Sequence, residues 1–239
     1  MEKPIAEWSP RIKARTAGAF YLLNIVTTFL ALFFLRGLFV SADAAATAAN
    51  LATHPFRFQS GFALELISTT SSIGVAAFLY VLLQSVNPGL SLLAAFFRLV
   101  GCAIFAFSYL FQLASLNLSG PQLQAVWPLL SALRAQSSSI GIVFFPLHFL
   151  LIGYLIFRSG FLPRFLGILV GLAGIGGLIF IDPPLGRSLF LYFAPLGLLA
   201  EVSLTTWLLG KGINTDSWQS AAVTNCRRAH DLSLVRPTN

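Results

Sequence analysis

Residues 17–40 read AGAFYLLNIVTTFLALFFLRGLFV, and this stretch decides what kind of molecule the chain makes. A helix rises about 1.5 Å per residue, so about 20 apolar residues cross about 30 Å of hydrocarbon. The stretch is long enough, and its one charge, Arg36, lies near its end, where the side chain can snorkel to the interface. The small residues around Ala42 to Ala46 could mimic a signal-peptidase site, but the further apolar segments favour a first helix that is retained.

Moving outward, five more segments have the same character: 59–83, 90–118, 139–157, 163–181 and 188–209. The fifth of the six is the shortest and the richest in glycine. None shows the alternation over roughly ten residues that marks a strand of a membrane barrel. In lipid the backbone must satisfy its own hydrogen bonds, which leaves helices. The expected fold is an all-α membrane protein, a bundle of six transmembrane helices with short interfacial helices in the outer loops. Composition agrees: of 239 residues 56% are hydrophobic and 10% charged, against about 25% charged in ordinary soluble domains. The 23 phenylalanines and 19 glycines also suit helices packed in lipid.

The net charge of +7 does not describe a nucleic-acid surface, because the basic residues lie in small groups between apolar runs rather than in one patch. Their distribution follows topology. With the N-terminus inside, the cytoplasmic side carries Lys3, Arg11, Lys13, Arg15, Arg158, Arg164, Lys211, Arg227, Arg228 and Arg236, and the other side only Arg36, Arg57, Arg134 and Arg187. The expected layout is a cytoplasmic segment 1–16, a six-helix domain 17–212 and a disordered cytoplasmic tail 213–239. Cys102, within an apolar run, and Cys226, in the tail, form neither a disulfide framework nor a metal-ligand spacing.

The connections divide into tight and long. QSVNPGLS at 84–91 and the residues from Phe161 to Arg164 are short inner turns that imply antiparallel hairpins. DPPLG at 182–186 reads as an outer turn ending the fifth span, and Pro195 as a bend in the sixth. The alanine-rich SADAAATAANLATHPFRF at 41–58 predicts a short interfacial helix capped by Ser41 or Asp43. GPQLQAVWPLLSALRAQSSS at 120–139 places Leu123, Val126, Trp127, Leu130 and Leu133 on a partly helical face. This segment is expected to lie on the outer interface with Trp127 at the headgroups, and Pro128 to prevent a long unbroken helix.

The informative residues are those that lipid should reject: Glu65, Arg98 and Glu201, with Asn24, His148 and Tyr154 as a second group and Thr205 one turn beyond Glu201. At about 1.5 Å per residue, Arg98 and Glu201 both lie about 12 Å above the inner boundary and can meet, whereas Glu65 lies about 8 Å higher. The expected pair is Arg98 with Glu201; a three-member network with Glu65 is the alternative, and the pair leaves Glu65 without a cation at its own depth. Helical periodicity groups Glu65 with Thr69 and Ser72, Arg98 with Cys102 and Phe105, Glu201 with Gly197 and Thr205, and Asn24 with Thr27 or Thr28. These faces are expected to point into the bundle. The charges either tie the helices together or line a ligand or ion site, and His148, after Pro146, marks either a break opening on a cavity or a packed, mildly kinked helix. Gly167, Gly171, Gly174 and Gly177, with Ala173, permit close helix packing, within the bundle or in a dimer.

No zinc-helix spacing, cofactor loop or serine–histidine arrangement at a common depth is present, so catalytic, metal and cofactor residues are set at none and an enzyme is the weaker expectation. The chain resembles the bacterial integral membrane proteins grouped as domain of unknown function 4386. The resemblance runs from about Lys13 to Gly212, through KARTAGAFYLLNIVT, TAANLATHPFRFQSGFALELIS, SVNPGLSLLAAFFRLVGCAI, PLHFLLIGYLIFRSGFLPRFLGILVGLAGIGGL and PLGLLAEVSLTTWLLGKG. It implies a multi-helix fold in the bacterial inner membrane with polar positions at Asn24, Arg98 and Glu201, and it supplies no reaction or substrate. Two functions remain: binding or moving a small molecule, lipid or ion through a polar intramembrane pocket, in which Glu65 could act as an outer gate, or a non-catalytic membrane interaction or assembly module. The partners expected are the lipid bilayer and either such a ligand or an oligomer or protein partner, but no nucleic acid.

Overall fold

The computed structural model describes residues 8–39, 43–114, 120–220 and 223–224. Expectations resting on Lys3, Ser41, Cys226, Arg227, Arg228, Arg236 or the side chains of Leu123 and Arg187 lie outside the described residues. The elements are α1 Pro10–Leu35, α2 Ala44–Thr53, α3 Pro55–Leu83, α4 Pro88–Ala114, α5 Gly120–Ile142, α6 Phe144–Ser159, α7 Arg164–Gly177 with a 3-10 turn Leu178–Ile181, and α8 Pro183–Gly210. Among the described residues, six apolar helical stretches are long enough to cross a membrane, α5 and α6 together supplying the fourth as Ala125–Ser159. The molecule is an all-α, six-span membrane bundle, as expected.

Local chemistry sets the boundaries. Ser9 accepts from the backbone N–H of Ile12, and Pro10 opens α1 seven residues before the apolar run begins. Asp43 caps α2 by accepting from Ala46 N–H. Asn87 accepts from Leu90 N–H and Pro88 starts α4, so the Asn-Pro-Gly turn is also a helix start. Asp182 likewise accepts from Leu185 N–H, and α8 begins at Pro183. The segment expected only as a turn is therefore the first turn of the sixth spanning helix.

Two expectations on the fourth span are corrected. Pro128 does not interrupt α5, which runs unbroken through it; the proline lies on the exposed face, and Ser131 Oγ donates to its carbonyl. The break comes at Val143 instead, three residues before Pro146. Trp127 is packed inside the protein rather than presented on its outer face. It is 5% exposed and stacks on Phe39, with ring centroids 5.9 Å apart.

The end of the bundle at which α1 begins is called proximal, the other distal. Around the bundle α1 packs on α3, α3 on α4, α4 on α6, α6 on α7, α7 on α8, and α8 back on α1. The ring is filled unevenly. The main core, including Ala17, Tyr21, Leu79, Leu82, Ile152, Leu155, Leu166, Leu204 and Leu208, occupies the proximal half. A small second cluster of Leu38, Leu51 and Phe58 lies at the distal end beneath α2. Between them the distal half is hollow.

Gly167 and Gly174 of α7 are consumed within the bundle: a Cβ on Gly167 would stand 2.6 Å from Phe157 N, and one on Gly174 2.7 Å from Leu150 N. Beyond α8 the chain turns at Gly212, with φ +67°, buries Ile213, and forms a helical turn over 215–220 whose Trp218 Nε1–H donates to the Leu82 carbonyl at 2.9 Å. The first residues after 212 dock on the bundle, where the indole satisfies a carbonyl left free at the end of α3. Lys13 lies over the same ring, 5.5 Å from its centroid.

Candidate functional site: a polar cavity in the distal half of the bundle

The hollow is a cavity of about 510 Å³ to which α1, α3, α4, α5, α6, α7 and α8 all contribute. The face of α3 carrying Glu65, Ser68, Thr69 and Ser72 forms its spine. Their spacing of three, four and seven residues places them on one stripe, spanning about 10 Å along the axis.

At the deep end, Arg98 of α4 is 1% exposed and held from several sides. Its Nε–H donates to Ser72 Oγ at 2.8 Å and an Nη–H to the Tyr21 hydroxyl at 3.3 Å. Its guanidinium carbon lies 5.0 Å from the Tyr21 ring centroid and 5.7 Å from that of Phe145. Glu201 of α8 faces it with 3.8 Å between Nη2 and Oε1, an ion pair without a hydrogen bond. The expected pairing is present, but loose on the glutamate side, whose side chain keeps 20% exposure toward the cavity.

At the distal end, Glu65 meets a partner that sequence reasoning missed. Arg134 of α5 donates to Glu65 Oε1 at 3.1 Å and lies over Phe39, 5.2 Å from the ring centroid. The expectation that Glu65 has no cation at its depth is overturned, and so is the three-member network. The usable signal was a second stripe on α5, Trp127, Arg134 and Ser138 at intervals of seven and four, which turns the arginine inward. Between the two pairs runs a row of hydroxyls and amides. Asn24 Nδ2–H donates to Ser68 O at 2.9 Å and Oγ at 3.0 Å, Thr28 and Ser68 share a hydrogen bond of 2.6 Å, and Thr69 and Tyr109 one of 3.0 Å. Thr28, not Thr27, is the threonine that joins Asn24 in the cavity; Thr27 donates to Leu23 O of its own helix.

The remaining expected residues are not part of this lining. His148 is fully buried, and its Nδ1–H donates to Ala94 O at 2.8 Å, tying α6 to α4. Thr205 is buried one turn proximal to Glu201 with no hydrogen-bond partner for its hydroxyl among the described residues. Tyr154 is 50% exposed on the outer surface of α6, away from the site. Cys102 lines the cavity as a free thiol, and the described residues contain no group of three or more metal-ligating side chains.

The mouth lies between α1 and α8. A Cβ on Gly18 would touch both Leu208 and Leu209, so the two helices are close at the proximal end. Ile25 follows Gly18 by seven residues and Glu201 precedes Leu208 by seven, which brings Ile25 and Glu201 level on antiparallel helices. Distal to that level Phe29 and Leu32 of α1 and Phe190 and Leu198 of α8 line the cavity while remaining exposed on the bundle surface. The cavity therefore reaches the lipid-facing side along the α1–α8 seam and is closed proximally by the solid core.

Arg134→Leu leaves Glu65 buried without its cation. A loss of roughly 1 kcal/mol is expected, since polar side-chain couplings inside membrane bundles average below that and reach about 1.7. A detergent melting curve reads it, and restoration in Glu65→Leu/Arg134→Leu would attribute the loss to the pair.

A multi-pass helical membrane protein with a buried, charge-lined cavity open to the side is the class these features define. The sequence profile of the domain-of-unknown-function family DUF4386 matches residues 16–212, and the chain belongs to that family. It is similar to an uncharacterized protein of Archaeoglobus fulgidus, 33% identical over 143 residues, which cover 59% of this chain and 76% of the relative. No solved structure matches.

Proposed function

We propose that the protein binds a small amphipathic molecule, drawn from the bilayer, in the distal cavity. The observation that carries this reading is the coincidence of a cavity joining Arg98–Glu201 to Glu65–Arg134 with an opening on the lipid-facing side. A volume of about 510 Å³ is within the range of about 300–1,000 Å³ in which small-molecule sites fall. Charges that served only to fasten helices would be expected to be packed shut. A solid core beneath the cavity favours binding, or carriage by a change of shape, over an open pore. Arg11, Lys13, Arg15, Arg158, Arg164 and Lys211 lie at proximal helix ends, which supports a six-helix domain 17–212 placed in the cytoplasmic membrane with its proximal end toward the cytoplasm. The alternative, an assembly module, loses most of its best docking face because Gly167, Gly174 and Gly177 of α7 pack against α6.

Gly197 supplies the test. It lines the cavity one turn from Glu201, and a Cβ built there meets nothing within 4 Å. Gly197→Phe should fold at least as well as wild type, since replacing a mid-helix glycine gains helix propensity of up to about 1 kcal/mol. It should also strip the protein of amphiphiles that copurify with wild type, read by native mass spectrometry from nanodiscs. An unchanged complement of bound molecules in a well-folded Gly197→Phe would refute the binding reading.

A further inference from the structure

The balance of charge and hydrogen bonds in the cavity narrows what its ligand can be, on the assumption that the binding function proposed above holds. Two cations, Arg98 and Arg134, face two anions, Glu201 and Glu65, so the described lining is neutral as a whole. An ion added at this depth would be an uncompensated charge in a low-dielectric site. An ammonium at Glu201 would stand against the Arg98 guanidinium, already 3.8 Å from that carboxylate, and a carboxylate at Arg98 would stand against Glu201. Charged heads of either sign are disfavoured.

Hydrogen-bonding capacity is not balanced in the same way. Arg98 is occupied by Ser72, Tyr21 and two aromatic rings. Arg134 bonds Glu65 through Nη2 and lies over Phe39, with its Nε left without a hydrogen-bond partner among the described residues. Glu201 faces the cavity and makes only the 3.8 Å ion pair, too long for a hydrogen bond, and Arg98 Nη2 at the other end of that contact makes no hydrogen bond among the described residues either. A carboxylate has about four lone-pair sites and no donor. What fits at the level of Glu201 is a neutral group that can donate to its carboxylate and accept from Arg98 Nη2, as a hydroxyl does. Distal to that level the walls turn apolar at the mouth, through Phe29, Leu32, Phe190 and Leu198.

We propose that the cavity binds an uncharged, hydroxyl-headed amphiphile with one hydrocarbon chain, the chemistry of long-chain alcohols and monoacylglycerols. The head donates to the Glu201 carboxylate and reaches the Asn24, Thr28 and Ser68 row, and the chain leaves along the α1–α8 seam. A single chain suits a mouth formed between two helices that are in contact at their proximal ends.

The test uses the full chain in nanodiscs with three probes of one chain length: 1-monooleoylglycerol, oleylamine and oleate. Native mass spectrometry reads their occupancy on wild type, Glu201→Gln and Gly197→Phe. Wild type is expected to bind monooleoylglycerol at least tenfold more tightly than either charged probe. Glu201→Gln, which keeps the shape but leaves Arg98 uncompensated, should shift the preference by tenfold or more toward oleate. A wild-type preference for oleylamine or oleate, or equal affinity for all three, overturns the head-group assignment. If that binding is nevertheless lost in Gly197→Phe, the cavity remains the site and only the ligand class falls. Binding of any probe that Gly197→Phe leaves intact, or no saturable binding at all, overturns the cavity reading as well.

Discussion

Arg98→Leu is expected to lower the stability of the detergent-solubilised protein by about 2–4 kcal/mol. Removing one partner of a buried ion pair costs about 3–5 kcal/mol because the other charge is stranded, whereas couplings inside membrane bundles are usually below about 1.7. Arg98 is placed toward the upper figure: its loss also deprives Ser72 and Tyr21 of a donor and leaves Glu201 facing an apolar leucine. Glu201→Leu should cost less, since Arg98 keeps those two partners and its two rings. The double variant should recover only the part of the Arg98→Leu loss that comes from stranding Glu201, since Ser72 and Tyr21 still lack their donor, and melting curves for the four proteins form the cycle that measures it. Full additivity would mean that the 3.8 Å pair is dissipated by water in the cavity, leaving both charges independent.

Gly153→Ala should have an effect of comparable size through sterics alone. A Cβ there would lie 2.5 Å from Gly171 N, 2.7 Å from Gly171 Cα and 2.8 Å from Gly167 O, all backbone atoms with no rotamer to escape into. Overpacking usually costs about 1–3 kcal/mol when side chains can yield, so at least about 3 is expected where α6 and α7 must separate. Gly171→Ala is the matched control. Its own Cβ would meet nothing within 4 Å, so it should be neutral or stabilising by up to about 1 kcal/mol. Melting temperatures for the two variants check this, and similar values would show that α6 and α7 do not approach as closely as described.

The pair of glycines illustrates how far the sequence could be read. Gly167, Gly171 and Gly174 stand out as a small-residue face, and that face does pack closely. Which glycine sits at the contact, and that Gly153 of α6 is its counterpart, depends on how two helices are rotated against each other, and nothing local to either helix states it. The charged site divides in the same way. Arg98 and Glu201 could be paired from depth alone, because helix rise converts residue number into height and a bundle this narrow leaves few partners at one height. Glu65 could not, because its cation sits on α5, whose reach into the bundle depends on a helix passing through Pro128 and breaking only at Val143. Pro128 and Pro146 both remove an N–H and crowd the carbonyl four residues earlier, yet α5 runs through the first and the helix breaks before the second; nothing local to either proline states that difference.

By itself the sequence determined the solvent this protein lives in, the six crossings, and the faces of α1, α3, α4 and α8 that turn inward, because lipid tolerates neither an unpaired backbone nor an unpartnered charge and thereby makes periodicity decisive. Only the tertiary structure decided that the proximal half is solid and the distal half hollow, that Arg134 balances Glu65, that Tyr154 lies outside the site, and that the cavity opens along the α1–α8 seam. Those outcomes depend on the angle at which helices diverge beyond a contact such as Gly18 with Leu208 and Leu209. That angle is set by the sum of many side-chain contacts between segments distant in the chain.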